Sequence, residues 1–321
     1  MNRVGYLLSL IVLSINLVAC GEQQAAYSGS GETAKDRQVA EVSAKEGHGT
    51  RDNTIRVLKP EASGSEVYSN ADASIDASNS AEGYVMVKYT GSASKVRMLI
   101  ETPAGNKYNY LMDLDGQYDV YPLSEGSGTY KIGVYENLHD DQYAAAFTQS
   151  VNVSLKDEYS MFLYPNAYVN FTADSKAVKK GQELAASANT DLEVVSNVYK
   201  YIIKHVTYDY DKAKNVKSGY IPTVDDTLAT GTGICFDYAS LMGAMLRSQG
   251  IPTRLEIGYA GTEYHAWISV YTKESGWVDD VIQFDGKNWT LMDPTLGSYA
   301  SHSDVKKRIE DDTFYQLKYK Y

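Results

Sequence analysis

The sequence predicts an α+β domain over residues 173–321, preceded by a small all-β, sandwich-like domain over residues 65–172. Three observations carry this expectation. Short segments that alternate apolar and polar residues recur between about Ser65 and Thr172, with turn-forming clusters between them. After Pro165 the apolar period lengthens from two residues to near 3.6. Helical runs then precede β-rich runs instead of alternating with them, which argues α+β rather than a parallel α/β sheet. At 321 residues the chain is longer than one core usually serves, so two folded units plus tails are expected.

At the N-terminus, Arg3 precedes an apolar run from Val4 to Val18 that is too short and wrongly flanked for a stable membrane span. Residues 1–19 therefore read as a signal peptide. The run ends in Leu17-Val18-Ala19-Cys20, which resembles the bacterial lipobox, where the Cys thiol takes a diacylglyceryl group before cleavage. Cys20 would then be the first mature residue, anchored to a membrane by acyl chains that contribute about 0.8 kcal/mol per buried methylene. An ordinary secretory signal in which Cys20 is incidental is the competing reading. Residues 20–64 are rich in Gly, Ser, Ala, Glu and Lys and cannot bury enough surface to offset chain entropy, so a flexible tether is expected there. Ile55, Val57 and Leu58 interrupt it as a short strand docking on the β domain.

Within the β domain, strands are expected at Tyr84 to Tyr89, Val96 to Ile100, Tyr130 to Tyr135 and Thr148 to Leu155. Turn signals separate them at Pro103-Ala104-Gly105-Asn106, Asp115-Gly116 and Glu125-Gly126-Ser127-Gly128. Nothing in this stretch has the make-up of a reaction site, so it reads as a spacer or recognition module. In the second domain, Val194, Val195, Val198, Ile202 and Val206 recur at helical steps and predict an amphipathic helix from Asp191 to about Val206. A second helix starts at Cys235, with Leu241, Met245 and Leu246 on its apolar side, and Gly250-Ile251-Pro252 ends it. Strands follow at Thr253 to Tyr259, Tyr264 to Tyr271 and Trp289 to Met292, the last preceded by a hairpin turn at Asp285-Gly286.

Composition excludes some functions and narrows others. The 30 basic and 41 acidic side chains give a net charge of -11, which repels phosphate backbones and leaves no electrostatic route to nucleic acid. An apolar share of 43%, with 28 Tyr against 6 Phe, is that of a folding chain rich in amphipathic rings. The only cysteines are Cys20 and Cys235; with the first taken by lipid, the monomer has no disulfide. The remaining thiol is either a buried small hydrophobe or a nucleophile, and its neighbours decide.

Cys235 follows Gly231-Thr232-Gly233-Ile234, a loop permissive enough to bring backbone close to a ligand, and stands in the first turn of its helix. Unpaired N–H groups and the helix dipole there stabilise an anion, so the thiol is expected to have thiolate character, and the same N–H groups could hold an oxyanion. His265 lies in the strand Tyr264-His265-Ala266-Trp267, and Asp293 closes another in Met292-Asp293-Pro294-Thr295. Adjacent strands could align them, with the carboxylate fixing the imidazole tautomer and the imidazole facing the thiol. Taken singly, each residue has a blander reading, as core Cys or satisfied polar group.

Tyr208-Asp209, Thr227-Leu228, Gly231 to Ala239, Gly250-Ile251-Pro252-Thr253-Arg254, His265-Ala266-Trp267 and Trp289 to Thr295 together resemble, in order and approximate spacing, the bacterial transglutaminase-like superfamily. The resemblance covers roughly Leu184 to Tyr299. It implies a papain-like cysteine acyltransferase or protease fold with Cys235 as nucleophile, His265 as general base and acid, and Asp293 as orienting residue. Trp267 would shield the ion pair from water or serve simply as core. Tyr208 would offer a second oxyanion donor. Asp237 reads as a first-turn helix charge, and Asp209 and Asp211 as residues of a solvated loop. No cluster has metal-ligand spacing, so neither a metal nor another cofactor is expected, and the calcium dependence known in animal transglutaminases is not implied.

Taken with the lipobox-like segment, which puts the protein outside the cytoplasm on a lipid anchor, the resemblance implies an enzyme that attacks amide bonds of proteins or peptides near the cell envelope through a thioester. A primary amine would resolve the thioester by transfer; water would give deamidation or proteolysis, and the choice stays open. The alternative is a non-catalytic surface adhesin or scaffold that retains the fold.

Overall fold

The structure, a computed structural model, describes residues 11–12, 49–273, 275–278, 294–299 and 314–321. Two antiparallel sheets form the first unit. One has the order β2 (Val67–Ser69), β3 (Ala73–Asp76), β4 (Tyr84–Tyr89), β7 (Asp119–Pro122). The other runs β1 (Ile11–Val12), β9 (Gln142–Val153), β8 (Gly128–His139), β5 (Val96–Glu101), β6 (Lys107–Leu111). Their inner faces follow the period of two: Val85, Val87 and Tyr89 of β4 and Val96, Met98 and Ile100 of β5 share one core with Tyr130, Ile132 and Val134 of β8. All four expected strands are present. β1, β2, β3, β6 and β7 are additional; all but β6 have four residues or fewer, and Tyr, Asn and Asp within such segments blur the alternation.

Half-buried Asp119, at the start of β7, is a local liability. Burial, with like charge from Asp113 and Asp115, pushes its carboxyl up to about 6. Between the unfolded value of about 3.9 and that figure the folded state holds the proton more tightly, so the contribution to stability is complete below about pH 4 and lost as pH rises through 6. Asp119→Asn is therefore expected to raise stability at pH 7 by about 1 kcal/mol, a figure discounted for the carboxyl's solvent exposure, and to leave it unchanged near pH 4. Urea midpoints at the two pH values check this.

The second unit contains α1 (Lys176–Ala185), α2 (Asp191–His205), β10 (Thr207–Tyr208), α3 (Tyr210–Asn215), α4 (Val224–Thr230), β11 (Thr232–Gly233), α5 (Cys235–Arg247), β12 (Thr253–Ala260), β13 (Glu263–Thr272), β14 (Gly276–Val278), α6 (Pro294–Tyr299) and β15 (Tyr315–Lys320). Helix α2 follows the expected pattern. Thr190 caps it through Glu193 N–H at 3.2 Å, acidic residues open it, Lys204 and His205 close it, and Val194, Val195, Val198 and Ile202 form its buried face. Helix α5 is buried all round, packed on β12 and β13 and flanked by α1, α2 and α4. The sheet has the antiparallel order β14-β13-β12-β15, so the end of the described chain returns to pair with β12. The architecture is α+β behind a β sandwich.

Tyrosines join the two units. Tyr108 of β6 meets Tyr319 and Tyr321 edge-on at 5.2 and 5.5 Å, Tyr110 meets Tyr168 at 5.4 Å, and Tyr168 reaches Phe236 of α5 at 5.3 Å. Such ring pairs contribute about 1 kcal/mol each beyond the area they bury. Ser124 hydroxyl donates to Lys320 O at 2.8 Å across the same seam.

One expectation needs correction. Ile55, Val57 and Leu58 form no strand on the β domain, and the chain they belong to is not free tether. Gly49 N–H donates to Ala186 O at 2.9 Å, Arg51 Nε pairs with Asp191 at 2.6 Å, and Arg56 N–H donates to Ser248 O at 2.8 Å. This stretch thus lies along the α+β domain. Ile55 and Val57 pack half-buried against the common core, and backbone groups and the Arg51 side chain add the polar contacts.

Candidate active site

Two glycines shape the segment that precedes Cys235. Helix α4 ends at Gly231 with φ +63°, where a Cβ would come within 2.8 Å of His205 O. Gly233 lies so close to Asp237 that a Cβ would sit 2.6 Å from Asp237 Cβ. Between them β11 pairs in parallel with β10, with Thr207 N–H donating to Gly231 O at 2.8 Å and Asp209 N–H to Gly233 O at 2.9 Å. This ladder brings Tyr208 into register with Gly233, two residues before Cys235. Tyr208 is half-buried, its ring 4.9 Å from that of Tyr210.

Cys235 opens α5 and is 3% exposed. The first intrahelical bond of α5 is Tyr238 N–H to Ile234 O, at 3.1 Å. The N–H groups of Cys235, Phe236 and Asp237 therefore precede the ladder, at the positive end of the helix dipole, in the position that favours a thiolate and a developing oxyanion.

His265 is half-buried on β13, a strand against which α5 packs, and is in register with Gly258 of β12. Trp267, one pleat along, shares its face. The two rings lie 6.3 Å apart at 21°, and the buried indole meets Tyr315 edge-on at 5.1 Å. Trp267 is thus core and neighbour of His265 at once. Asp293 lies outside the described residues, as do Cys20, the Asp285-Gly286 turn and the expected strand Trp289–Met292. The chain is described again from Pro294, where α6 packs on α2, α5 and β10, and Tyr238 hydroxyl lies 3.5 Å from Ser298 Oγ. Among the described residues no group of three His, Cys, Asp or Glu side chains could hold a metal ion.

Asp237 is the expected first-turn helix charge, with partners that were not expected, whereas the reading of Asp209 as a residue of a solvated loop is incomplete. Asp237 is in the first turn of α5 but wholly buried, accepting from Ile234 N–H at 2.7 Å and pairing with Lys212 Nζ at 2.9 Å. The Tyr220 hydroxyl donates to the same carboxylate, which together with burial pushes that phenol well up. Asp209 caps α3, accepting from Lys212 N–H at 2.8 Å, whereas Asp211 is exposed as expected. Lys212 and Tyr220 were not foreseen. Their only sequence signal is an Asp three residues before a Lys, a common helix start. Beside them a cleft of about 310 Å³ is lined by Lys212, Tyr220, Thr223, Asp226, Thr227 and Thr232.

Residues 178–280 match the transglutaminase-like superfamily. The chain is 27% identical over 179 residues to the UPF0252 protein MJ1282 of Methanocaldococcus jannaschii, covering 49% of each chain. It is 28% identical over 172 residues to human kyphoscoliosis peptidase, covering 49% of this chain and 24% of that protein. It is 37% identical over 70 residues to a protein-glutamine gamma-glutamyltransferase of Pseudomonas aeruginosa, covering 17% of this chain and 10% of that one. The chain thus spans about half the length, or less, of the curated relatives it matches.

Proposed function

Residues 178–280 form a transglutaminase-like superfamily domain, and from that premise we propose that the protein is a cysteine enzyme acting on amide bonds of proteins or peptides through a thioester. The observation that carries the reading is the position of Cys235, at the head of the buried helix α5, inside the family segment and beside the strand that bears Tyr208. In the proposed cycle the Cys235 thiolate attacks the amide carbonyl, and N–H groups at the start of α5, with Tyr208, receive the oxyanion. His265, oriented by Asp293, carries the thiol proton to the departing nitrogen, so that ammonia or an amine leaves neutral. A primary amine or water then attacks the thioester, giving its proton to His265 and releasing Cys235 as the acyl group departs. Trp267 keeps water from the imidazole. The mature protein begins at a lipidated Cys20, so β1, which lies in the signal segment, is removed, and the enzyme works at the outer side of a membrane.

Wild type and Cys235→Ala are to be compared over a cell-envelope protein extract, with ammonia release, new N-termini and incorporation of a fluorescent primary amine followed together. Label with ammonia marks transfer, ammonia alone deamidation, and new termini proteolysis. One of these signatures is expected in wild type, and none in Cys235→Ala. Equal signals from the two proteins, or none from either, would refute the proposal and favour a scaffold.

A further inference from the structure

The buried carboxylate of Asp237 poses an electrostatic problem. It stands two residues after Cys235 at the same helix end, where a second negative charge must form. Its Oδ2 accepts Ile234 N–H, so it also fastens the backbone just before the thiol. Lys212 Nζ reaches both carboxylate oxygens, at 3.0 Å to Oδ1 and 2.9 Å to Oδ2. The ammonium is itself held, donating to Tyr220 Oη at 2.6 Å and lying 4.4 Å from the centre of that ring. The Asp209 cap on α3 sets the backbone that aims it.

We infer that Lys212, steadied by Asp209 and Tyr220, is a positioning residue for Cys235: it cancels the charge of Asp237, letting that carboxylate anchor the nucleophile loop without opposing the thiolate. The inference rests on the reading of Cys235 as nucleophile. The titratable and charged groups around this corner are Tyr208 from β10, Asp209 capping α3, Tyr210 and Lys212 from α3, Tyr220 from the following loop, Asp226 from α4, and Asp237 and Tyr238 from α5, with His265 on β13, the strand against which α5 packs. Among these described groups Lys212 supplies the fixed positive charge, and Asp226 across the cleft adds a negative one.

The test is the pH dependence of alkylation of Cys235 by iodoacetamide in the full chain, read by mass spectrometry on the Cys235 peptide. Lys212→Met leaves Asp237 unbalanced and is expected to move the midpoint up by about one pH unit. Asp237→Asn leaves the ammonium unbalanced and is expected to move it down. The double variant is expected to return close to wild type, and Tyr220→Phe, which keeps the charge pair, to shift it by less than about 0.3 unit. A purely structural brace would slow alkylation in all of these without shifts of opposite sign. The inference is overturned if the two single variants move the midpoint in the same direction, or if Lys212→Met moves it by less than about 0.3 unit. Should Lys212→Met lack the wild-type circular dichroism spectrum, Asp237→Asn decides: a downward shift supports the inference, and any other result ends it. A wild-type thiol inert at every pH would sink the nucleophile reading as well. A reactive thiol indifferent to these variants would remove only the part assigned to Lys212.

Discussion

Replacing His265 by alanine is expected to lower turnover by about a thousandfold while leaving the thermal midpoint within a few degrees of wild type. The imidazole is half-buried on β13 and shares a face with Trp267, whose indole is packed against Tyr315, so its loss would remove the proposed proton carrier while the walls around it persist. The α5 N-terminus still favours a thiolate, and alkylation of Cys235 should slow less than turnover does. What the proposed mechanism then lacks is protonation of the leaving nitrogen. Turnover at saturating substrate, with circular dichroism as a control for folding, checks this. A loss smaller than about tenfold would show that His265 does not move the proton.

The largest loss of stability is expected from Arg247→Met, at about 4 kcal/mol, with a thermal midpoint lower by roughly 10 °C. Arg247 is 0% exposed at the last turn of α5. Its Nε and one terminal nitrogen donate to Thr253 O at 3.0 and 2.8 Å; the terminal nitrogens also donate to Tyr164 O and Tyr321 O, each at 2.7 Å. Burial pulls the guanidinium down to about 9, yet it stays charged at neutral pH, favoured by these carbonyls and by the negative end of the helix. Methionine fills similar volume but leaves three carbonyls without those donors. Arg247→Lys is expected to recover little, since one ammonium cannot serve acceptors spread along a planar fork. Urea melts of both variants measure the difference; a loss below about 1 kcal/mol for Arg247→Met would mean that desolvation of the cation cancels its hydrogen bonds.

Much of the architecture was readable because its causes are local. Alternation marked Tyr84–Tyr89 as a strand, and the spacing of Val194, Val198 and Ile202 marked α2, because each pattern reflects one face turned to a core. The site was readable in part. A glycine-rich approach followed by helical spacing placed Cys235 at a helix start, whereas the register of Tyr208 with Gly233 came only from the structure. That Ile55 and Val57 dock was readable from their apolar side chains, but the surface they dock on was not, since a short polar segment carries no signal of its partner.

By itself the sequence determined the elements with an unbroken apolar period, such as β4, β5, α2 and α5, because caps, glycine turns and apolar periods act over a few neighbouring residues. Only the tertiary structure decided who meets whom across the chain. It paired Asp237 with Lys212, 25 residues away, and gave Arg247 the carbonyls of Tyr164 and Tyr321, separated from it by 83 and 74 residues. A buried charge must find a partner somewhere, and the way the chain closes on itself selects which.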